Sequence, residues 1–232
     1  MNRLDETAWP GIPEQSLLLL PLGSTEQHGP HLPFTVDAVV AEAVALAAGE
    51  RLGAVVAPAL PYGSSGEHQG FPGTLSIGRA ALRAIVVELT RSASSWADRV
   101  VLVSGHGGNV PVLAEVVPAM RAEGHAISWL ACAVPSGDAH AGRTETSLML
   151  HLDAAGVGDY PHVEGNALPI DQLMARLSAG ELRDVAPTGV LGDPRGASAA
   201  EGLAVLAQLV DEAVQRISLD WVGQHGELRA RE

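Results

Sequence analysis

The chain has 232 residues, of which 47% are apolar and 18% charged, and its formal net charge is −13. This composition is typical of a globular domain and excludes a largely disordered chain. The excess of negative charge disfavours a phosphate backbone as a partner, so no nucleic-acid partner is expected. Because the chain contains no linker, repeat or low-complexity tract, we predict a single domain over residues 1–232.

Short apolar runs alternate with Ala-rich segments of helical spacing along the first two thirds of the chain. Strands are predicted at residues 17–22, 54–59, 99–104 and 126–133. Helices are predicted at residues 37–52, 77–96, 110–123, 145–152 and 199–217. This alternation predicts an α/β fold of three layers, α/β/α, with a mostly parallel central sheet and helices on both faces. Residues 156–194 are richer in loop residues and are expected to cover or flank a site.

Ligands of such sheets bind beyond the carboxyl ends of the strands, and the polar clusters of this sequence fall there. The first cluster is PLGSTEQHGPHLPFTVD, Pro21–Asp37. Glu26 and His28 are two residues apart, which places both side chains on one face of an extended segment. Together with Asp37 they form a suitable ligand set for Zn, Mn or Fe(II). An acidic residue at a helix start is also an ordinary cap, so Asp37 alone would not indicate a metal.

The second cluster is SGHGGN, Ser104–Asn109, directly after a predicted strand. It lacks the lysine of a phosphate-binding loop and the spacing of a dinucleotide-binding loop. The glycines that flank His106 would allow its imidazole to approach a metal or a substrate closely.

The third cluster is DAHAGRTETS, Asp138–Ser147, which leads into a predicted helix. Glu145 in the first turn is explained by the helix dipole alone, whereas His140 is not.

The fourth cluster is YGSSGEHQGFPGTLSIG, Tyr62–Gly78, a long loop in which Glu67, His68 and Phe71 are candidates for substrate contact or a subunit contact. Each cluster alone is a weak signal. Because they converge on one edge of one sheet, the sequence predicts a metal-dependent hydrolase, with Asp37 as the carboxylate that two metals would share.

The motifs GSTEQHGPHLP, GEHQGFPGT, GHGGN and HAGRTETS, in this order, resemble those of the creatininase family of metal-dependent amidohydrolases. The resemblance extends over about residues 18–150. It implies a creatininase-like fold and one or two divalent cations (Zn, Fe(II) or Mn) per subunit.

The resemblance also implies site residues. Glu26, Asp37 and His106 resemble the ligands of one metal, and His28 with the shared Asp37 those of a second. Creatinine-hydrolysing members have a glutamate where this chain has Gly108, and Glu145 is our candidate to replace it as a ligand. The catalytic histidine of the family, a proton shuttle near the leaving nitrogen, corresponds to His140. Finally, the backbone amides of Gly107 and Gly108 would bind the developing oxyanion.

A late segment, GVLGDPRGASAAEG, resembles one peptide-processing branch of the family. This likeness implies removal of a C-terminal Val-Tyr-derived dipeptide from a modified ribosomal precursor peptide. It further implies a homo-oligomer, commonly a hexamer in the family.

Two alternatives remain open at this point: a hydrolase of a cyclic amide or of a formamide, and a non-catalytic metal-binding scaffold. The longest apolar run, LLLLPL, is too short to span a bilayer, and no signal peptide is recognisable, so we expect no membrane partner and a cytoplasmic location. The single cysteine, Cys132, lies in an apolar run and is expected to be a structural thiol rather than a nucleophile.

Overall fold

A computed structural model describes residues 2–134 and 137–230. Within them, five strands form one sheet of order β1-β3-β2-β4-β5, and every pair of neighbouring strands is parallel. The strands are β1 Asn2–Arg3, β2 Ser16–Leu22, β3 Val55–Val56, β4 Ala97–Ser104 and β5 Ile127–Ala131. The α-helices are α1 Val36–Leu52, α2 Gly78–Ala93, α3 Val110–Ala122, α4 Arg143–Leu152, α5 Ile170–Ser178, α6 Leu182–Val185 and α7 Ala199–Leu219.

Strand β2 is buried on both of its faces, which explains its unbroken run of leucines. Leu18, Leu20 and Leu22 belong to an apolar cluster with α2 and α3. Leu19 points the other way, into a cluster formed with α1, α4 and α7. The sheet is therefore the middle layer of three, and the predicted α/β/α fold with a parallel sheet is confirmed.

The predicted strand at residues 54–59 is much shorter in the structure, where the strand pairs only at Val55–Val56. Pro58 has no N–H group to donate to a neighbouring strand, so the ladder does not continue through it. Pairing resumes only as an isolated bridge between Leu60 and Leu22. Helix α2 likewise ends at Ala93, three residues before the predicted end at residue 96.

Residues 156–194 hold the short helices α5 and α6, which share a small apolar cluster of their own. The Arg183 guanidinium donates to the carbonyl of Gly70 at 2.8 Å and thereby joins this segment to the fourth polar loop. In the described part of the chain, no helix has the length and apolar character needed to cross a bilayer.

Helix α7 packs on α4 with very little clearance. A Cβ atom on Gly202 of α7 would lie 1.8 Å from the carbonyl oxygen of Ser147 on α4. The contact between the two helices therefore requires glycine at this position, and α7 supports the helix that carries Glu145.

Candidate active site

The amino end of α1 lies against the carboxyl ends of β2 and β4, and two glycines make this possible. A Cβ on Gly23 would lie 2.4 Å from the Cα of Ala38, and a Cβ on Gly105 would lie 2.2 Å from the carbonyl oxygen of Asp37. Asp37 is thus held between two strand ends and is almost fully buried.

Glu26 and Asp37 are joined by a serine. The Ser24 hydroxyl oxygen lies 2.6 Å from Glu26 Oε2 and 2.9 Å from Asp37 Oδ2. The hydroxyl has one proton, so it donates to one carboxylate at a time. Two buried carboxylates this close repel each other unless positive charge is near.

Two imidazoles lie close enough to supply that charge. His28 Nε2 lies 3.2 Å from Asp37 Oδ1, while His28 Nδ1 donates to the carbonyl oxygen of Glu26 at 3.0 Å. His106 contacts both acids: its Nδ1 lies 3.3 Å from Asp37 Oδ2, and its Nε2 lies 3.2 Å from Glu26 Oε2. The structure therefore brings together the four residues predicted as ligands from the first two clusters.

Two further imidazoles, His68 and His140, form the other wall of the cluster. His68 Nε2 lies 3.3 Å and His140 Nδ1 3.8 Å from Glu26 Oε1. The His140 ring is close to both of its neighbours, with centroids 4.3 Å from His28 and 4.6 Å from His68. His68 was predicted as a substrate contact, and the structure places it inside the cluster itself.

Glu145 approaches from α4, with its Oε2 3.8 Å from His28 Nε2. The backbone N–H of Ala141 donates to the same carboxylate. Ala141 has φ of +53°, a left-handed conformation that a residue with a side chain adopts at some cost. This strained turn aims its N–H group at Glu145.

The pKa values of the acids and imidazoles in the cluster follow from their burial and from these contacts. Burial and the neighbouring Asp37 raise the pKa of Glu26, but His106 and His68 outweigh both and lower this pKa to about 2. Burial lowers the pKa of His28, but the contact with Asp37 outweighs it and raises this pKa to about 10. Burial lowers the pKa of His68 to about 4 and that of His140 well below its ordinary value. Burial likewise raises the pKa of Glu145 to about 7.

The cluster fits a divalent cation. Glu26 Oε1 is buried and has no hydrogen-bond partner, although a carboxylate oxygen in such a place normally has one. In the described residues, three sets of ligand atoms lie within 4.8 Å of one another: Glu26 with His68 and His140, His28 with His140 and Glu145, and Glu26 with His28 and Asp37. Imidazole nitrogens and carboxylate oxygens are ligands that zinc, iron and manganese accept.

His106 is in none of these three sets. It bridges Glu26 and Asp37 through different ring nitrogens, and its Nε2 also lies 3.1 Å from the carbonyl oxygen of Ser64. To bind a cation together with either acid, His106 must give up one of these contacts.

The remaining predicted residues lie around this cluster. Glu67 Oε1 is 3.6 Å from His106 Nε2, and Gly107 and Gly108 follow His106 in a short 3₁₀ turn, Gly107–Asn109. Phe71 packs instead in the apolar cluster of α5 and α6, with the Arg183 guanidinium 5.7 Å from its ring centre.

Three polar residues of the site were not predicted from the sequence: Ser24, Gln27 and Thr146. The Gln27 side chain contacts both His68 and His140. Thr146 Oγ1 is hydrogen-bonded to His31 Nε2 at 2.9 Å, behind the cluster. Burial raises the pKa of the Cys132 thiol to about 12, which disfavours the thiolate form that a nucleophile needs.

Comparison with known proteins identifies the family. A sequence profile described as creatinine amidohydrolase matches residues 5–217. The chain belongs to the creatininase family. The mycofactocin precursor peptide peptidase of Mycolicibacterium smegmatis is 50% identical over 207 residues, 87% of this chain and 84% of that protein. The protein of the same name from Mycobacterium ulcerans is 47% identical over 231 residues, 96% of this chain and 90% of that protein.

A solved structure extends the likeness to three dimensions. A creatininase variant in a zinc–zinc form superposes with a TM-score of 0.72 at 27% identity, over 94% of this chain and 98% of that chain. Membership of the creatininase family confirms the predicted class of chemistry, hydrolysis of an amide C–N bond. The family is metal-dependent, and the buried acids and imidazoles described above form a candidate metal site in this chain.

Proposed function

We propose that this chain is a metal-dependent peptidase of mycofactocin biosynthesis, which removes the C-terminal Val-Tyr-derived dipeptide from the modified precursor peptide. The observation that carries the proposal is the 50% identity, over 87% of this chain, with a protein named mycofactocin precursor peptide peptidase. The buried cluster around Glu26 supports it independently, because its unpartnered oxygen lies among imidazoles and a second acid.

The proposed ligands are Glu26, His28, Asp37, His106 and Glu145, with Asp37 shared if two cations bind. Zinc, iron(II) and manganese(II) all suit such a set, and one or two cations per subunit fit it. Held by these residues, a divalent cation would supply Lewis acidity: it would lower the pKa of a water molecule and polarise the carbonyl of the scissile bond.

His140 is the proposed proton carrier. Its Nδ1 faces Glu26 Oε1 at 3.8 Å, and burial lowers its pKa, so the ring is neutral before the reaction and one ring nitrogen carries a lone pair. In the proposed reaction the water oxygen bonds to the carbonyl carbon, Nδ1 takes a proton from that water and delivers it to the leaving nitrogen, and the C–N bond breaks. The acid proton of the new carboxyl group then passes to the released amine, so the products are a carboxylate and an ammonium group.

The residues around the cluster are proposed to hold the peptide. The backbone amides of Gly107 and Gly108 stabilise the oxyanion, and Glu67, His68 and Phe71 line the path of the substrate. We further propose that the protein forms a homo-oligomer such as the hexamer common in the family, and light scattering of the purified protein would measure its mass.

The proposal is tested by incubating the metal-loaded protein with the modified precursor peptide and following the products by mass spectrometry. We expect release of the dipeptide. The variant Glu26→Gln, which removes one ligand charge but keeps the side-chain volume, is expected to lose metal and cleavage together while its circular dichroism spectrum is unchanged.

The same assay separates the alternatives. Cleavage of creatinine or of a formamide without cleavage of the peptide would assign the site to a small-molecule amide. Binding of the peptide by fully metal-loaded protein without release of any fragment would indicate a scaffold. Full turnover by the Glu26→Gln variant would show that the Glu26 carboxylate is not a required metal ligand.

A further inference from the structure

Gln27 is a buried, uncharged residue that the proposed reaction does not use, yet it lies between two of the imidazoles. Its side chain is 5% exposed. Its amide nitrogen Nε2 lies 3.0 Å from His68 Nδ1 and 3.1 Å from His140 Nε2. Its backbone carbonyl oxygen also lies 2.8 Å from His140 Nε2. The side-chain contact with His68 and the backbone contact with His140 decide where each imidazole carries its hydrogen, and hence which nitrogen is free.

Two backbone groups fix the orientation of the Gln27 amide. The N–H of Gly29 donates to Gln27 Oε1 at 2.9 Å, and Gln27 Nε2 donates to the carbonyl oxygen of Gly189 at 3.0 Å. A backbone N–H can only donate and a carbonyl can only accept, so rotating the amide by 180° would lose both bonds. The orientation therefore follows from the hydrogen-bonding partners.

This orientation of the Gln27 amide determines the tautomer of His68. One hydrogen of Gln27 Nε2 is used by Gly189, and the other points to His68 Nδ1. His68 Nδ1 must then accept, so the hydrogen of the neutral ring is on Nε2. That N–H group faces Glu26 Oε1 at 3.3 Å.

His140 also carries its hydrogen on Nε2, but its ring is oriented so that Nδ1, rather than Nε2, faces Glu26. Its Nε2 lies 2.8 Å from the carbonyl oxygen of Gln27, which can only accept, so His140 Nε2 donates. Its 3.1 Å approach to Gln27 Nε2 is then not a hydrogen bond, because both hydrogens of that amide are engaged. The bare Nδ1 of His140 faces Glu26 Oε1.

We propose that Gln27 is a positioning residue that holds His68 through its side-chain amide and His140 through its backbone carbonyl, both in the Nε2–H tautomer, so that the two rings present opposite ends to Glu26. His68 turns an N–H group toward Glu26 Oε1 without forming a hydrogen bond to it, and His140 turns a lone pair toward the same oxygen. His140, and not His68, is then the imidazole able to take a proton or a metal; this consequence rests on the proposed function.

The tautomers are measured directly by long-range proton–nitrogen NMR of the full chain labelled with ¹⁵N-histidine and loaded with zinc. Signals are assigned with the variants His68→Gln and His140→Gln. We expect both rings of the native protein to be protonated on Nε2. In Gln27→Glu, a carboxylate that cannot donate replaces the amide, so we expect the His68 proton to move to Nδ1.

The matched control is Gln69→Glu, the same chemical change on an exposed side chain one residue from His68. It is expected to leave both tautomers as they are. Protonation of His68 on Nδ1 in the native protein overturns the inference, as does an unchanged His68 in folded Gln27→Glu. If that variant does not fold, the native spectrum alone decides.

The result is independent of turnover. Native protein with both predicted tautomers but without peptide cleavage would overturn the proposed function and leave this inference intact. Cleavage by a protein with the opposite tautomers would overturn only the inference.

Discussion

Gly108 lies where its neighbours leave no space for a side chain. A Cβ atom there would be 2.3 Å from His106 Nε2, 2.5 Å from the carbonyl oxygen of Ser64 and 2.6 Å from Glu67 Oε1. Creatinine-hydrolysing members of the family have a glutamate at this position. The structure adds that the carboxylate of Glu67 reaches the space beside Gly108, so two acidic side chains could not both fit.

We predict that Gly108→Ala weakens metal binding about tenfold, equivalent to ~1.4 kcal/mol, because the new methyl group displaces His106 from the two acids. The measurement is metal affinity by competition with a coloured chelator. The control is Gly107→Ala, since a Cβ at Gly107 meets nothing within 4 Å and metal affinity should be unchanged. Equal affinity in both variants would show that His106 does not contribute to binding.

The charged residues of the site could be predicted from the sequence, whereas its neutral residues could not. Acids and histidines beyond strand ends have few structural explanations, so Glu26 and His106 stood out. Ser24 and Gln27 are ordinary loop residues by type, and only their contacts distinguish them. Those contacts join segments far apart in the chain, which spacing along one sequence does not encode.

At the scale of secondary-structure elements, the packing of helix α1 against the sheet determines the position of Asp37. We predict that Gly105→Ala destabilises the protein by about 1–3 kcal/mol, because its methyl group would overlap the Asp37 carbonyl and force α1 away from β4. Urea unfolding followed by tryptophan fluorescence measures the loss. Gly66→Ala, where a Cβ meets nothing within 4 Å, is the control, and an equal loss in both would contradict this packing account.

The long elements were predictable because their apolar periodicity reflects burial on both faces of the sheet. Strand β2 and helices α1, α3 and α7 lie within two residues of their predicted bounds. Helices α5 and α6 were not predicted: α6 has only four residues, and α5 packs in a small separate cluster. Segments this short take their conformation from tertiary contacts more than from local preference.

At the scale of the whole molecule, the acids of the site are neutralised by protonated imidazoles, and binding of a cation competes with those protons. Because the pKa of His28 is about 10, its ring is protonated near neutral pH, and a cation that takes its Nε2 must displace that proton. We predict proton release on metal binding and weaker binding as the pH falls. Calorimetric titration with zinc in buffers of different ionisation enthalpy counts the protons.

The variant His28→Gln is expected to release about one proton fewer per cation. His162→Gln, on an exposed loop, provides the same substitution away from the site and should release as many as the native chain. Proton release that is the same in all three proteins would mean that His28 does not give up its proton to the cation.

The support that α7 gives to α4 also has a consequence for chains that are incomplete. A nascent chain that has emerged only as far as residue 134 contains Glu26, Asp37 and His106 but neither His140 nor Glu145. The turn that bears those last two groups is held by the helix made near the end of translation, through the contact of Gly202 with Ser147. We therefore expect a chain cut short before α7 to hold Glu145 less firmly and to bind the cation more weakly than the full chain.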